Sequence, residues 1–191
     1  MTPALEAETE RLLSQRTRDI RFSPEMDRLY RAKDWPQRSK IARSWMVWVA
    51  LISISFVPVS YLLAPHLLWL TAAISGVLVP ALHACTYLVW RKPRSASILG
   101  LSIMLLMSSV MLAYGLLAVA AGGAGYERIL ISVMFVNTIA LVVLNVDYIW
   151  TLSLMVSSAA IFFGFEIFNP QIELKEAIGT SIFYAIGMYA A

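Results

Sequence analysis

Trp45–Leu63, with the sequence WMVWVALISISFVPVSYLL, decides the fold, because none of its nineteen residues carries a charge. At about 1.5 Å per residue, a helix of this length approaches the roughly 30 Å thickness of a bilayer's hydrocarbon core. The whole chain has the same character, since 59% of its 191 residues are hydrophobic and only 14% are charged. Soluble domains have about 45–50% apolar residues, so the sequence predicts a polytopic membrane protein of the all-α class.

Turn-forming and charged residues divide the chain on either side of this stretch into further apolar blocks. Ala64-Pro65-His66 precedes the second block, and Arg91-Lys92-Pro93-Arg94 follows it. The Gly-rich stretch Ala120–Gly125 ends the third block, because glycine is a poor helix former. The apolar region 129–165 is about twice as long as one crossing requires, so we place a turn at its polar interruption, Asn145-Val146-Asp147.

The blocks predict six transmembrane helices in a domain covering 44–191, with a polar loop at Glu166–Glu176 before the last helix. The sixth helix stops after fifteen residues, and we expect the natural protein to complete it beyond Ala191. Residues 1–43 form the other predicted domain, a cytoplasmic segment of amphipathic helices, one of which begins at Ser23-Pro24-Glu25. The predicted spans are about 45–63, 67–90, 95–119, 129–145, 148–165 and 177–191.

Basic residues give the predicted orientation. Ten of the fifteen Lys and Arg residues precede residue 44, and three more lie between the second and third spans. The positive-inside rule places both of these basic regions on the cytoplasmic side. The prediction is consistent, because the two spans that separate the regions return the chain to the side on which it started. Beside a membrane, basic side chains typically contact anionic headgroups, so we expect lipid contacts and no nucleic-acid binding. The predicted surface contacts are Arg38, Lys40, Arg43, Arg91, Lys92 and Arg94.

Few side chains in the spans have chemistry to offer. No phosphate-binding loop, hydrolase signature or paired-cysteine motif occurs, and the lone Cys85 allows neither an intrachain disulfide nor a cysteine metal site. His83 is the candidate cofactor-binding residue, as a ligand of haem, a metal or a chlorin; the alternative is a histidine hydrogen-bonded within the bundle. Asn137 and the serines of the spans, including Ser53, Ser55, Ser108, Ser157 and Ser158, are expected to hydrogen-bond across helices.

The segment Phe22-Ser23-Pro24-Glu25-Met26-Asp27-x-x-Tyr30-Arg31, followed by basic residues and paired spans, resembles a bacterial family. It is similar to the six-span N-terminal membrane region of diguanylate cyclases that carry a C-terminal GGDEF domain, and similar anchors precede class III adenylate cyclases. The resemblance covers most of residues 22–191. It implies a dimeric sensor or anchor module in the bacterial inner membrane. It also implies that a cyclase domain outside this chain makes cyclic di-GMP from two GTP molecules, with Mg.

Other hypotheses come from the spans themselves. The chain is alternatively an accessory or structural subunit of a larger membrane complex that binds haem or a pigment through His83. A transporter is disfavoured, because no span has an Asp, Glu, Lys or Arg at its centre. Pro58 and Pro80 remove helix hydrogen bonds and are expected to kink the first two spans. A small lipophilic ligand entering between these kinks is a further hypothesis; no cofactor or metal is expected in this segment otherwise.

Overall fold

A computed structural model describes residues 24–144 and 147–167, together with Ala7, Thr9–Arg11, Ser14, Lys175, Ile178, Gly179 and Ile182. Throughout these residues the regular structure is helical and no strand occurs, which confirms the all-α prediction. The chain divides into two compact units, Met1–Arg38 and Ser39–Ala191. In the first unit, Arg38 forms an ion pair with Asp34, one helical turn earlier, at 3.8 Å.

Five long helical segments account for the two continuous ranges. Each segment contains an apolar stretch long enough to cross a bilayer. The described part of the chain therefore has the character of a membrane protein with five candidate spans. The predicted sixth span, 177–191, lies outside the described residues except for Ile178, Gly179 and Ile182. The segments are α1 Pro24–Leu63, α2 Pro65–Val89, α3 Ala96–Ala121, α4 Gly123–Val143 and α5 Tyr148–Ile167.

Helix α3 is the centre of the bundle, because it packs against α2, α4 and α5. Half of its most apolar window is buried (50%), compared with 11% for α1. Two glycines of α3 bring α5 close: the Trp150 ring lies against Gly100 and the Phe165 ring against Gly115, where a Cβ atom would stand 2.1 Å from either ring. Small residues that let helices approach closely are typical of helix contacts in membranes.

Helix α2 changes its winding along its length. It begins with a 3₁₀ turn at Pro65–Leu67 and contains a π-helical stretch, Ala72–Leu78, just before Pro80. In the π-helix each amide donates to the carbonyl five residues earlier, as Val79 does to Ile74. The next carbonyl, that of Ser75, would pair with residue 80, but proline has no amide hydrogen. The predicted loss of a hydrogen bond at Pro80 is therefore located at the Ser75 carbonyl, whereas α1 continues through Pro58 as a single helix.

The connections differ from the predicted ones in two places. The break between α3 and α4 is confined to Gly122, whose φ of 61° favours glycine, and α4 already begins at Gly123, before the predicted residue 129. Glu166 was predicted to begin a polar loop, but it lies buried in the last turn of α5, where the Tyr126 hydroxyl donates to its carboxylate at 3.1 Å. Asn145 and Val146 of the predicted turn lie outside the described residues; α5 begins directly after Asp147.

Candidate functional site

A cavity of about 480 Å³ lies between α1, α2, α3 and α4, and every residue that lines it belongs to the second unit. Its volume falls in the range of about 300–1,000 Å³ that is usual for small-molecule sites. The wall is mainly aliphatic and also includes several serine, threonine and tyrosine residues. Its residues include Val49, Ile52, Ser53, Phe56, Ser60, Leu63, His66, Thr71, Ser75, Val110, Tyr114, Leu117, Arg128, Ile129, Ser132, Val133 and Val136.

The hydroxyl groups of the wall are largely paired with one another. Ser60 and Thr71 share a hydrogen bond at 3.0 Å between α1 and α2. The Ser53 hydroxyl donates to the Ser75 carbonyl at 3.0 Å, so the Tyr114 hydroxyl, 2.7 Å away, donates to Ser53. Ser53 thus satisfies the carbonyl that Pro80 leaves without an amide, and it ties α1 to both α2 and α3.

The two ends of the cavity differ in polarity. The Ser53 and Tyr114 pair lies within the span, while the exposed side chains of His66 and Arg128 line the other end. His66 follows the turn between α1 and α2, and Arg128 lies in the second turn of α4. Arg128 makes no side-chain ion pair within the described part of the chain. The cavity therefore joins an apolar interior to one cationic side chain at its rim.

His83, the predicted cofactor-binding residue, lies on α2 away from this cavity. Its Nδ1 is 2.8 Å from the Val79 carbonyl, and because a carbonyl only accepts, Nδ1 carries the proton. The other ring nitrogen, Nε2, is buried and has no hydrogen-bond partner in the part of the chain that the structure describes. The His83 ring lies 5.8 Å from that of Trp45 on α1. His83 is thus a buried histidine of which one ring nitrogen makes no hydrogen bond within the described residues. The other histidine, His66, lies in the turn at the opposite end of α2.

No metal centre is formed by the residues that the structure describes, since no group of three His, Cys, Asp or Glu residues comes together among them. A haem or pigment on His83 would be held through the Nε2 atom of this residue, since one axial histidine is enough to hold haem iron. The hydrogen bond of Nδ1 leaves Nε2 unprotonated, which is the tautomer that a metal ligand needs. The same Nε2 atom is buried among protein side chains.

Five of the six basic residues predicted to contact the membrane surface belong to the second unit, where they lie at the end of the bundle opposite Arg128. In the second unit, Arg43 donates to the Ser39 carbonyl at 3.1 Å, and its guanidinium lies 5.7 Å from the Tyr87 ring near the end of α2. Lys40 is exposed one turn earlier on α1. Arg91, Lys92 and Arg94 are exposed in the turn that follows α2. Arg38 belongs to the first unit, where it pairs with Asp34.

One buried polar cluster and one half-buried pair of serines lie outside the cavity. Asn137 of α4 donates to Ser158 of α5 and to the Met111 sulfur of α3, and Ser108 donates to Ser157 at 3.3 Å. The predicted hydrogen bonds across helices are thus confirmed for Asn137 and these serines. Ser55 differs, because its hydroxyl donates to Ile52 within its own helix.

The contact between Tyr126 and Glu166 was not predicted. The sequence contained only a weak signal for it, an acidic residue directly after an apolar block.

Comparison with known proteins finds no counterpart: no protein-family model, no curated protein and no solved structure matches this chain.

Proposed function

We propose that this chain is the membrane-embedded sensor, or input, region of a bacterial signalling protein. The observation that carries the proposal is the cavity between α1 and the rest of the bundle, in a set of helices whose described residues bring no three potential metal ligands together. A site that binds without reacting, placed between helices, is what a sensor requires.

The attachment of α1 explains how occupancy of the cavity would be transmitted. Helix α1 is tied to α2 and α3 mainly by separate side-chain contacts, of Ser53, Ser60 and Trp45. A ligand that prefers one position of α1 shifts the population toward that position, by as much as its affinity for the two positions differs. Small shifts of packed helices are a common form of such switching.

We place the protein in the bacterial inner membrane as a multi-pass homodimer with its N-terminus in the cytoplasm. The exposed cluster of Lys40, Arg91, Lys92 and Arg94 supports this orientation through the positive-inside rule. The resemblance of Phe22–Arg31 to the membrane regions of diguanylate cyclases supports a cyclase as the output domain. That domain would use GTP and Mg to make cyclic di-GMP, and the dimer would bring two GTP-loaded domains together.

The test measures cyclic di-GMP formed by the full-length protein in native membranes supplied with GTP and Mg. Val136→Trp fills the cavity from α4, whereas Val142→Trp, on the same helix, alters an exposed position that does not line it. We expect cyclic di-GMP formation by the native protein, a changed rate in Val136→Trp and an unchanged rate in Val142→Trp. Absence of cyclic di-GMP would contradict the proposal that the output domain is a cyclase. Equal rates of cyclic di-GMP formation in both variants would contradict the proposal that the cavity controls that domain.

A second candidate function is an accessory subunit that holds haem or a pigment. The bare Nε2 of buried His83 favours it, because neutral imidazole nitrogens are common metal ligands. The absorption spectrum of the protein purified from its native membrane decides the matter. A Soret or chlorin band that disappears in His83→Ala would support this function over the sensor, and a spectrum without such a band would exclude it.

A further inference from the structure

The cavity has a polarity and a length that together specify a class of ligand. We propose that it binds a single-chain anionic amphiphile, a fatty-acid-like or lysophospholipid-like molecule, with its headgroup at Arg128 and its alkyl chain among α1, α2, α3 and α4. This assignment deepens the proposed function by naming the ligand of the sensor, and it rests on that function only for the signal that follows binding.

The cavity is long enough to cross one leaflet of a bilayer. Along α4 its lining extends from Gly125 to Val136, eleven residues or about 17 Å of helix. Along α1 it extends from Leu63 to Val49, fourteen residues or about 21 Å. Half of the hydrocarbon core is about 15 Å thick. A chain inserted from the rim therefore reaches the Ser53 and Tyr114 pair near mid-depth.

The wall favours an alkyl chain over a polar molecule. The hydroxyls of Ser53, Ser60 and Thr71 are already paired with protein groups, so they have little to gain from a polar ligand. The Ser75 hydroxyl has no hydrogen-bond partner among the described residues, but although Ser75 borders the cavity, its side chain has no accessible surface there. The remaining lining is chiefly Val, Ile, Leu and Phe side chains. Methylene groups fit such a surface without leaving a buried polar group unpaired.

The rim favours an anionic headgroup. Arg128 is exposed there without an ion pair among the described residues, and none of the residues that line the cavity is acidic. Two carboxylates lie close by in sequence or space. Glu127 is exposed and does not line the cavity, and Glu166 is buried at α5 with the Tyr126 hydroxyl. A guanidinium forms two parallel hydrogen bonds with a carboxylate or phosphate. Such a pair orients the headgroup of the ligand and favours a headgroup with a negative charge.

The experiment measures binding of radiolabelled dodecanoate to the full chain in nanodiscs of zwitterionic lipid. Unlabelled dodecanoate, dodecyl phosphate, dodecan-1-ol and inorganic phosphate serve as competitors. We expect the two anionic amphiphiles to compete well and the alcohol to compete at least about tenfold less well, the loss expected for one charge-assisted hydrogen bond at an exposed site. Stronger competition by dodecyl phosphate than by dodecanoate would assign the site to a phospholipid-derived ligand, and the reverse to a fatty acid. Equal competition by the alcohol would overturn the proposal.

Matched variants locate the site. We expect Arg128→Gln to weaken dodecanoate binding about tenfold, with most of the affinity restored in Arg128→Lys, which keeps the charge. Val136→Trp is expected to abolish binding by filling the cavity, whereas Arg94→Gln removes a cation at the opposite end and should leave binding unchanged. Native affinity in Arg128→Gln or in Val136→Trp would overturn the proposal. Because binding is read without any cyclase output, its failure is distinguishable from failure of the signalling role.

Discussion

Gly100→Ala tests the close contact between α3 and α5. A Cβ atom at Gly100 would stand 2.1 Å from Trp150 Cγ and 2.2 Å from its Cδ1. Non-bonded carbons are most favourable at about 3.5–4.0 Å, so the indole must retreat by at least about 1.4 Å, the difference between 3.5 and 2.1. Because Cγ is bonded directly to the Cβ atom of Trp150, rotation about χ2 cannot move it away. Either χ1 must change or the helices must separate.

The expected cost of Gly100→Ala follows from two opposing terms. Overpacking a well-packed contact costs about 1–3 kcal/mol, and replacing glycine by alanine within a helix returns up to about 1 kcal/mol. With the full return, we expect a net loss of about 0–2 kcal/mol in the free energy of unfolding, which is about 1–3 kcal/mol relative to a glycine-to-alanine change that meets no neighbour. The measurement is reversible unfolding of the purified protein in mixed detergent and SDS micelles, followed by circular dichroism.

Gly164→Ala is the matched control, because a Cβ atom at Gly164 on α5 would meet nothing within 4 Å. It should leave the stability unchanged or raise it slightly. The double variant Gly100→Ala with Trp150→Ala should lose less stability than the sum of the two single variants, since the smaller side chain leaves room for the new methyl group. If Gly100→Ala is as stable as Gly164→Ala, the packing of α3 on α5 is not as described.

Two further predictions concern the buried polar contacts. Asn137→Ala and Ser158→Ala, combined in a double-mutant cycle in the same unfolding assay, should give a coupling energy of about 0.6–1.7 kcal/mol, as is typical of hydrogen bonds between membrane helices; additive losses would contradict the contact. Tyr126→Phe should cost about 1–3 kcal/mol, because it leaves the buried Glu166 carboxyl without its donor, and Tyr126→Phe in a Glu166→Leu background should cost much less. Equal losses of stability in the two backgrounds would show that the Tyr126 hydroxyl does not stabilise the protein through its hydrogen bond to Glu166.

Hydropathy was sufficient to predict the five long helices that the structure describes, because each apolar block must satisfy its backbone internally in lipid. Ser95 illustrates how local chemistry also set a boundary: the third span was predicted to begin there, and Ser95 caps α3 by accepting from the amide of Ile98. The sequence placed the break between α3 and α4 within Ala120–Gly125 but did not identify Gly122 as its position. Several glycines and alanines follow one another there, and each is compatible with a helix end.

Features that depend on contacts between distant segments were not predictable from the sequence. Glu166 follows an apolar block and looks like the start of a loop; its burial depends on Tyr126, forty residues earlier. Ser53 and Ser75 each resemble an ordinary serine in a membrane helix, yet together with Pro80 they join α1 to the irregular part of α2. The cavity likewise has no local signature, since four helices form its wall.

The central claim is that the chain crosses a bilayer with its basic end on one side and the rim at Arg128 on the other. Cys85 is exposed, so it is first replaced in Cys85→Ala. Single cysteines at the exposed positions Lys40, Arg94 and Glu127 are then tested with a membrane-impermeant maleimide in intact cells. We predict labelling of Glu127→Cys in intact cells, and of Lys40→Cys and Arg94→Cys only after permeabilisation. Labelling of Arg94→Cys from the same side as Glu127→Cys would contradict the account.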